Sequence, residues 1–209
     1  STVPIDASSA LIACLQRQTM ADVNQRRFSH TSASGYEGRD ETALSMRRLI
    51  LFRHAQAEAR APSGEDFDRP LAPAGRLDAA LMADVLAKDG LTPDVVLVSA
   101  ARRTQETWAC MAAAFPNAKV FTVPALYNAS NDEIMAEVDN VSVLGDTLIV
   151  VAHNPGLQEL AMDLLSEGQA PGPDIDNMAA RFPTATAAQF SFDEEGTPRI
   201  IVSRPMEDR

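Results

Sequence analysis

Two cysteines, one tryptophan, two tyrosines and three histidines are all that this 209-residue chain holds of those types. Cys14 and Cys110 lie far apart and in no metal-like spacing. That argues against a disulfide framework and a zinc site, and fits free thiols in a reducing compartment. No apolar run approaches the roughly 20 residues that cross a bilayer. No basic stretch followed by an apolar one opens the sequence, so no secretory leader is expected and the expected location is cytoplasmic. Positive charge is also short: 18 Lys and Arg stand against 29 Asp and Glu, for a net charge of −11. Such a chain repels nucleic acid and anionic membrane, so neither is expected as a partner. Any anionic ligand must then be captured by a local basic pocket.

What is present suffices for a folded enzyme-sized domain. Hydrophobic residues make up 45% and charged residues 22%, enough apolar material for a sizeable core and too little charge for global disorder. Residues 1–45 differ from the rest and are expected to be an extension or linker, with residues 46–209 as the domain. Within the extension, Leu11, Ile12, Leu15 and Val23 could line a short helix, and the polar stretch 29–45 reads as linker.

From Arg47 onward strand and helix signals alternate. The apolar runs at Leu49–Phe52, Val95–Val98, Val120–Val123 and Leu148–Val151 read as strands. Pro73 to Asp89 reads as a helix with Leu77, Leu81 and Val85 on its apolar face and Gly90 as its stop. Arg103 to Phe115 reads as a second helix. Ser130 to Glu133 has capping-box spacing. Asn154-Pro155 reads as an N-cap followed by proline at the first helical position. Residues 168–178, rich in Gly, Pro and Asp, read as a surface loop. Ala188–Phe192 and Arg199–Ser203 read as late strands around a turn at residues 194–196. This alternation predicts an α/β domain, a three-layer αβα arrangement with a mostly parallel sheet.

Three of the strands run directly into polar residues of one chemical kind. Arg53 and His54 follow Phe52. Ser99 and then Arg102-Arg103 follow Val98. His153 follows Val151-Ala152. In an open α/β sheet ligands sit beyond the carboxyl ends of the strands, so two histidines and at least two arginines converge there if these strands are neighbours. That set suits phosphoryl transfer, in which catalysis is mostly positioning and charge stabilisation. Arginine supplies planar bidentate donors, neutral imidazole can attack phosphorus, and the helix after Asn154 offers amides and a dipole end to an anion. Between Arg102 and Arg103 the four-residue step from Ser99 favours Arg103. Ser99 reads as a hydrogen-bonding residue, and Trp108, Cys110 and Met111 as packing. Arg69 either steadies the site together with Asp68 or only anchors a loop.

These residues carry a resemblance. Leu51-Phe52-Arg53-His54-Ala55, Asp68-Arg69-Pro70-Leu71 with Gly75, Ser99 with Arg103 and Thr107, Ala152-His153-Asn154-Pro155-Gly156 and Phe182-Pro183-Thr184 resemble, in order, the motifs of the SixA-type phosphohistidine phosphatases. Those belong to the histidine phosphatase superfamily, with its phosphoglycerate-mutase-like fold. The resemblance spans about residues 47–203. It implies a hydrolase without metal or cofactor, in which His54 becomes phosphohistidine. It further implies that Arg53, Arg103, His153 and Asn154 bind the phosphoryl oxygens. Ala55 stands where the superfamily usually has glycine, and Ala100 where proline often follows the serine.

The SixA-type pattern also lacks the acid that many relatives use as proton donor. Leu126-Tyr127-Asn128 occupies that region, and no carboxylate follows until Asp132 and Glu133, which read as a helix start. An alkoxide leaving group, conjugate to an acid about as weak as water at ~15.7, needs a general acid. Imidazole, with a conjugate acid near ~6.5, leaves with little help. The expected substrate is therefore a phosphohistidine protein of a signalling relay. Asp66, Asp132 or Glu133 folding into the site would instead favour a phosphatase of small phosphate esters. A non-catalytic module that binds phosphorylated partners is the reading from another class.

Overall fold

The computed structural model describes residues 46–204. Residues 1–45, where the extension and its short helix are expected, and residues 205–209 lie outside the described residues.

The described chain runs β1 (Arg48–Arg53), α1 (Pro73–Lys88), β2 (Val95–Ser99), α2 (Arg102–Met111), β3 (Lys119–Val123) and α3 (Asn131–Val141). It continues through β4 (Thr147–Ala152), α4 (Gly156–Glu167), α5 (Gly172–Ala180), β5 (Ala187–Phe192) and β6 (Pro198–Arg204). The six strands form one sheet in the order β3-β2-β4-β1-β5-β6. β1 through β4 pair in parallel, and β5 and β6 add an antiparallel edge. The sheet is thus mixed and mostly parallel. β4 lies between β1 and β2, which brings together the three strands whose ends carry Arg53, Ser99 and His153.

Alternation along each strand divides the core in two. Leu49, Leu51, Leu97, Leu148 and Val150 pack with Ile134 and Val138 of α3 and with Leu157, Leu160 and Leu164 of α4. Ile50, Phe52, Val96, Val98, Ile149 and Val151 pack on the other face with Ala79, Met82 and Leu86 of α1 and with Trp108 and Met111 of α2. The central strands β1, β2 and β4 are buried on both faces, as their continuous apolar runs require, while the edge strand β3 is largely exposed; the expected three layers are what the chain adopts.

Four local expectations need correction. In α1 the buried side chains are Ala79, Met82, Ala83 and Leu86, while Leu77 is 63% exposed. Small Ala residues let the helix lie close to the sheet, and the larger Leu77 falls on the opposite face. Residues 168–178 are not all loop, because α5 starts at Gly172 and buries Met178. Pro173 stands in its first turn, a place where a missing N–H costs nothing. Pro155, not Asn154, occupies the cap of α4, across a cis Asn154–Pro155 bond. α2 ends at Met111 and continues as a 3₁₀ turn over Ala112–Ala114. The capping box at Ser130 and Glu133 forms as its spacing predicts.

Two glycines allow close approaches beside the site. A Cβ on Gly75 would fall on the carbonyl oxygen of Gln56, and one on Gly156 on that of Ala129. Gly75 lets α1 dock on the segment that leaves β1, where Ala72 N–H also donates to Gln56 O at 2.9 Å.

Candidate active site

His54 follows the last residue of β1, and its N–H donates to Ala152 O of β4 at 3.1 Å. Its Nδ1 lies 2.8 Å from the carbonyl oxygen of Ala55. A carbonyl only accepts, so Nδ1 carries the ring proton and Nε2 keeps its lone pair. Arg103 Nε donates to that Nε2 at 3.2 Å. The rings of His54 and His153 are 5.2 Å apart.

Helix geometry explains why Arg103 and not Arg102 reaches the site. Arg103, Thr107 and Met111 recur at four-residue steps and share the buried face of α2. Arg102, one residue earlier, turns outward and pairs with Glu106 at 2.8 Å. Thr107 Oγ1 donates to Arg103 O and accepts from Ala55 N, which ties the helix to the residue after His54.

Ser99, fully buried at the end of β2, places its Oγ 2.9 Å from His153 Nε2. With the hydroxyl donating, the ring proton resides on His153 Nδ1. That atom is buried and has no partner among the described residues, and the same holds for Arg53 Nε. Arg53 is anchored through Nη1, which donates to Phe182 O at 2.6 Å. Two donors beside the His54–His153 pair are thus withheld from the protein's own acceptors, an arrangement suited to an anion.

Asn154 has the opposite polarity. Its Nδ2 donates to Gln158 Oε1 at 3.0 Å and to Phe182 O at 3.1 Å, leaving Oδ1 as a buried atom without a partner among the described residues. An amide oxygen repels a phosphoryl oxygen. The Asn154 side chain thus ties the segment after β4 to the carbonyl of Phe182.

Both imidazoles are pushed toward the neutral form. Burial is the main cause for His54, reinforced by the charges of Arg103, Arg53 and Arg69 and opposed by the Ala55 hydrogen bond, and its pKa falls from 6.5 to about 4. His153 falls to about 3, through burial first and then the charges of Arg103 and its neighbours.

One carboxylate does reach the site. Asp66, in a 3₁₀ turn over Asp66–Asp68, accepts from Arg69 Nη1 at 2.8 Å and from the Tyr127 hydroxyl at 3.0 Å. Its Oδ2 stands 3.1 Å from Arg103 Nη2. Chiefly through the Arg69 hydrogen bond, its pKa is drawn down to about 2. Arg69 thus pairs with Asp66, while Asp68 accepts from Ser63. Asp132 and Glu133 stand in the first turn of α3, where Glu133 closes the Ser130 capping box. Tyr127 was not singled out by the sequence. Its ring stands edge-on to His153, 5.6 Å between centroids, and Arg103 lies 5.8 Å from the ring centre. Its signal was available: it is one of only two tyrosines and lies just beyond the carboxyl end of β3.

Among the described residues no group of three or more His, Cys, Asp or Glu side chains is placed to hold a metal ion, and no helix is long and apolar enough to cross a membrane.

A family model described as the histidine phosphatase superfamily, branch 1, matches residues 49–136. An uncharacterised chloroplast protein of Arabidopsis thaliana is 34% identical over 140 residues, which cover 62% of this chain and 64% of that protein. The chain thus spans just under two thirds of that relative. An uncharacterised protein of Mycobacterium tuberculosis is 32% identical over 137 residues, covering 65% of this chain and 84% of its own length. Among solved structures, one from Agrobacterium tumefaciens, provisionally assigned as the phosphohistidine phosphatase SixA, superposes with a TM-score of 0.68. It is 25% identical and covers 77% of this chain and 99% of that one. The fold is phosphoglycerate-mutase-like.

Proposed function

From a chain that belongs to the histidine phosphatase superfamily, we propose a phosphohistidine phosphatase that passes the phosphoryl group through a covalent phosphohistidine on His54. His54 Nε2 attacks phosphorus while Nδ1–H stays on the Ala55 carbonyl; the substrate's P–N bond breaks and its electron pair leaves with the substrate imidazole. Arg103 turns its guanidinium from Nε2 to the phosphoryl oxygens, joined by Arg53 Nε and His153 Nδ1. Water then attacks the phospho-enzyme, the P–N bond breaks, and inorganic phosphate leaves.

The observation that carries the substrate class is the state of Asp66. It is the carboxylate beside Arg103, and with a pKa of about 2 it holds no proton to give to an alkoxide. Glu133 is likewise held below the ordinary carboxylate range by its hydrogen bonds to Ser130. A site rich in anion-facing donors, with no protonated carboxylate among the described residues, suits a leaving group that departs unaided, as imidazole does. The partner is then a phosphorylated protein of a signalling relay. Cys110, free among the described residues, agrees with a reducing compartment such as the cytoplasm.

The test is incubation with a phosphohistidine protein. Release of phosphate and an acid-labile phospho-enzyme are expected, both lost in His54→Ala. Equal turnover by that variant would remove His54 from the chemistry. A strong preference for small phosphate esters, lost on replacing Asp132 or Glu133, would move the protein to the ester-hydrolysing reading. Partner binding with no trappable phospho-enzyme would make it a binding module.

A further inference from the structure

The turn at Asp66–Asp68 brings a negative charge to a site built for an anion, and that calls for a physical reason. Asp66 is 51% exposed on its side chain, yet three directed donors hold its carboxylate: Arg69, Tyr127 and Arg103. Arg103 also donates through Nη1 to Asp66 O at 2.8 Å. The same guanidinium touches His54 Nε2 through Nε, so the carboxylate stands one guanidinium away from the attacking nitrogen. Beside it runs a row of rings. Phe67, 38% exposed, meets Tyr127 edge-on with 5.0 Å between centroids, and Tyr127 meets His153 in the same way. A charged acceptor next to an aromatic wall fits a flat ring that carries an N–H.

Given a phosphohistidine substrate, we propose that Asp66 reads the leaving group: its carboxylate accepts the free ring N–H of the departing imidazole and repels substrates that bring an ionised carboxylate beside the phosphate. Transfer between two imidazoles is symmetrical. The P–N bond to His54 Nε2 forms, the P–N bond to the substrate ring breaks, and the electron pair stays on the departing nitrogen. That ring leaves as neutral imidazole when its other nitrogen already carries a proton, which solvent supplies at a pKa near ~6.5. On the enzyme's side the distal N–H of His54 rests on the Ala55 carbonyl. On the substrate's side Asp66 is the matching acceptor. Being an anion, it favours the protonated ring, and no proton has to pass through it.

The experiment compares kcat/KM for a phosphohistidine peptide, p-nitrophenyl phosphate and 3-phosphoglycerate in wild type, Asp66→Asn and Tyr127→Phe. p-Nitrophenyl phosphate has neither a ring N–H nor a carboxylate and reports on Arg103, while 3-phosphoglycerate carries an extra carboxylate. In Asp66→Asn the ratio of phosphohistidine to p-nitrophenyl phosphate should fall about tenfold or more, the size of one charge-assisted hydrogen bond. The ratio of 3-phosphoglycerate to p-nitrophenyl phosphate should rise. Tyr127→Phe should shift both ratios in the same directions by less. Equal losses on all three substrates would reduce Asp66 to a prop for Arg103 and overturn the assignment, as would unchanged ratios. A wild type that hydrolyses the esters but not the peptide would overturn the substrate reading itself, and the assignment with it.

Discussion

Arg103 Nε points its proton at His54 Nε2 from 3.2 Å. A guanidinium cannot accept, so the contact exists only while that imidazole nitrogen is unprotonated. On the proposed mechanism the pair is a nucleophile beside the cation that would neutralise what it attacks. Two side chains 49 residues apart in sequence meet there because β1 and β2 flank β4.

The state of the histidines should appear in titration. With folded pKa values of about 4 for His54 and about 3 for His153, both rings are neutral at pH 7, and NMR should place their midpoints well below 6.5. The unfolded chain binds a proton at each ring near 6.5 and the folded chain does not until those lower values. Folding stability is therefore fully present above about 6.5 and is lost as the pH falls toward 4 and then 3. Each ring contributes a slope of about 1.4 kcal/mol per pH unit inside that window. His54→Asn and His153→Asn should each remove about one proton from the slope. Unfolding free energies flat between pH 6.5 and 5 would contradict both shifts.

The two adjacent arginines should behave very differently. Arg103→Lys keeps a charge but loses the fork that spans His54 and Asp66, and kcat should drop on the order of 10²–10³, as when a preorganised anion donor is removed. Arg102 pairs with Glu106 on the surface, where such pairs are worth about 1 kcal/mol or less. Arg102→Ala should leave kcat/KM nearly unchanged. Steady-state kinetics with p-nitrophenyl phosphate and inhibition by orthophosphate would check both.

Ser99 acts through His153 as a positioning residue. Ser99→Ala leaves a buried ring nitrogen without its partner, costing about 1–3 kcal/mol of stability, and frees the ring proton to move to Nε2. A fall in kcat with KM little changed is expected, with Ser99→Thr restoring part of it. If Ser99→Ala unfolded at a lower temperature yet kept full kcat, the hydroxyl would be structural only.

Gly75→Ala sets a Cβ against the Gln56 carbonyl. An overpacked backbone contact of this kind costs roughly 1–3 kcal/mol or more, and at this chain length about 2–4 °C of Tm for each kcal/mol. At Gly172 nothing lies within 4 Å of an added Cβ, so Gly172→Ala should be neutral or gain up to about 1 kcal/mol. Thermal melts of the pair would separate close approach from glycine content as such.

The core strands, the capping box and the two-histidine, two-arginine set were legible in the residues, because apolar runs, cap spacing and strand-end chemistry are local signals. Arg103 could be preferred over Arg102 since helical periodicity is also local. The inward face of α1 was misread, because leucine at i and i+4 says where an apolar stripe lies and not which side the sheet will cover. The orientation of the Asn154 amide was not legible, because an amide is both donor and acceptor and only the Phe182 carbonyl beside it decides which end is left over.

Sequence alone determined the class of chemistry: histidine, arginine and serine directly after apolar strands supply the groups that phosphoryl transfer needs. Tertiary structure alone decided their state and company. Burial and neighbouring charge make both imidazoles neutral, and a turn and a tyrosine remote in sequence hold Asp66 as an anion on Arg103. Those are effects of distance and desolvation, which exist only once the segments have come together.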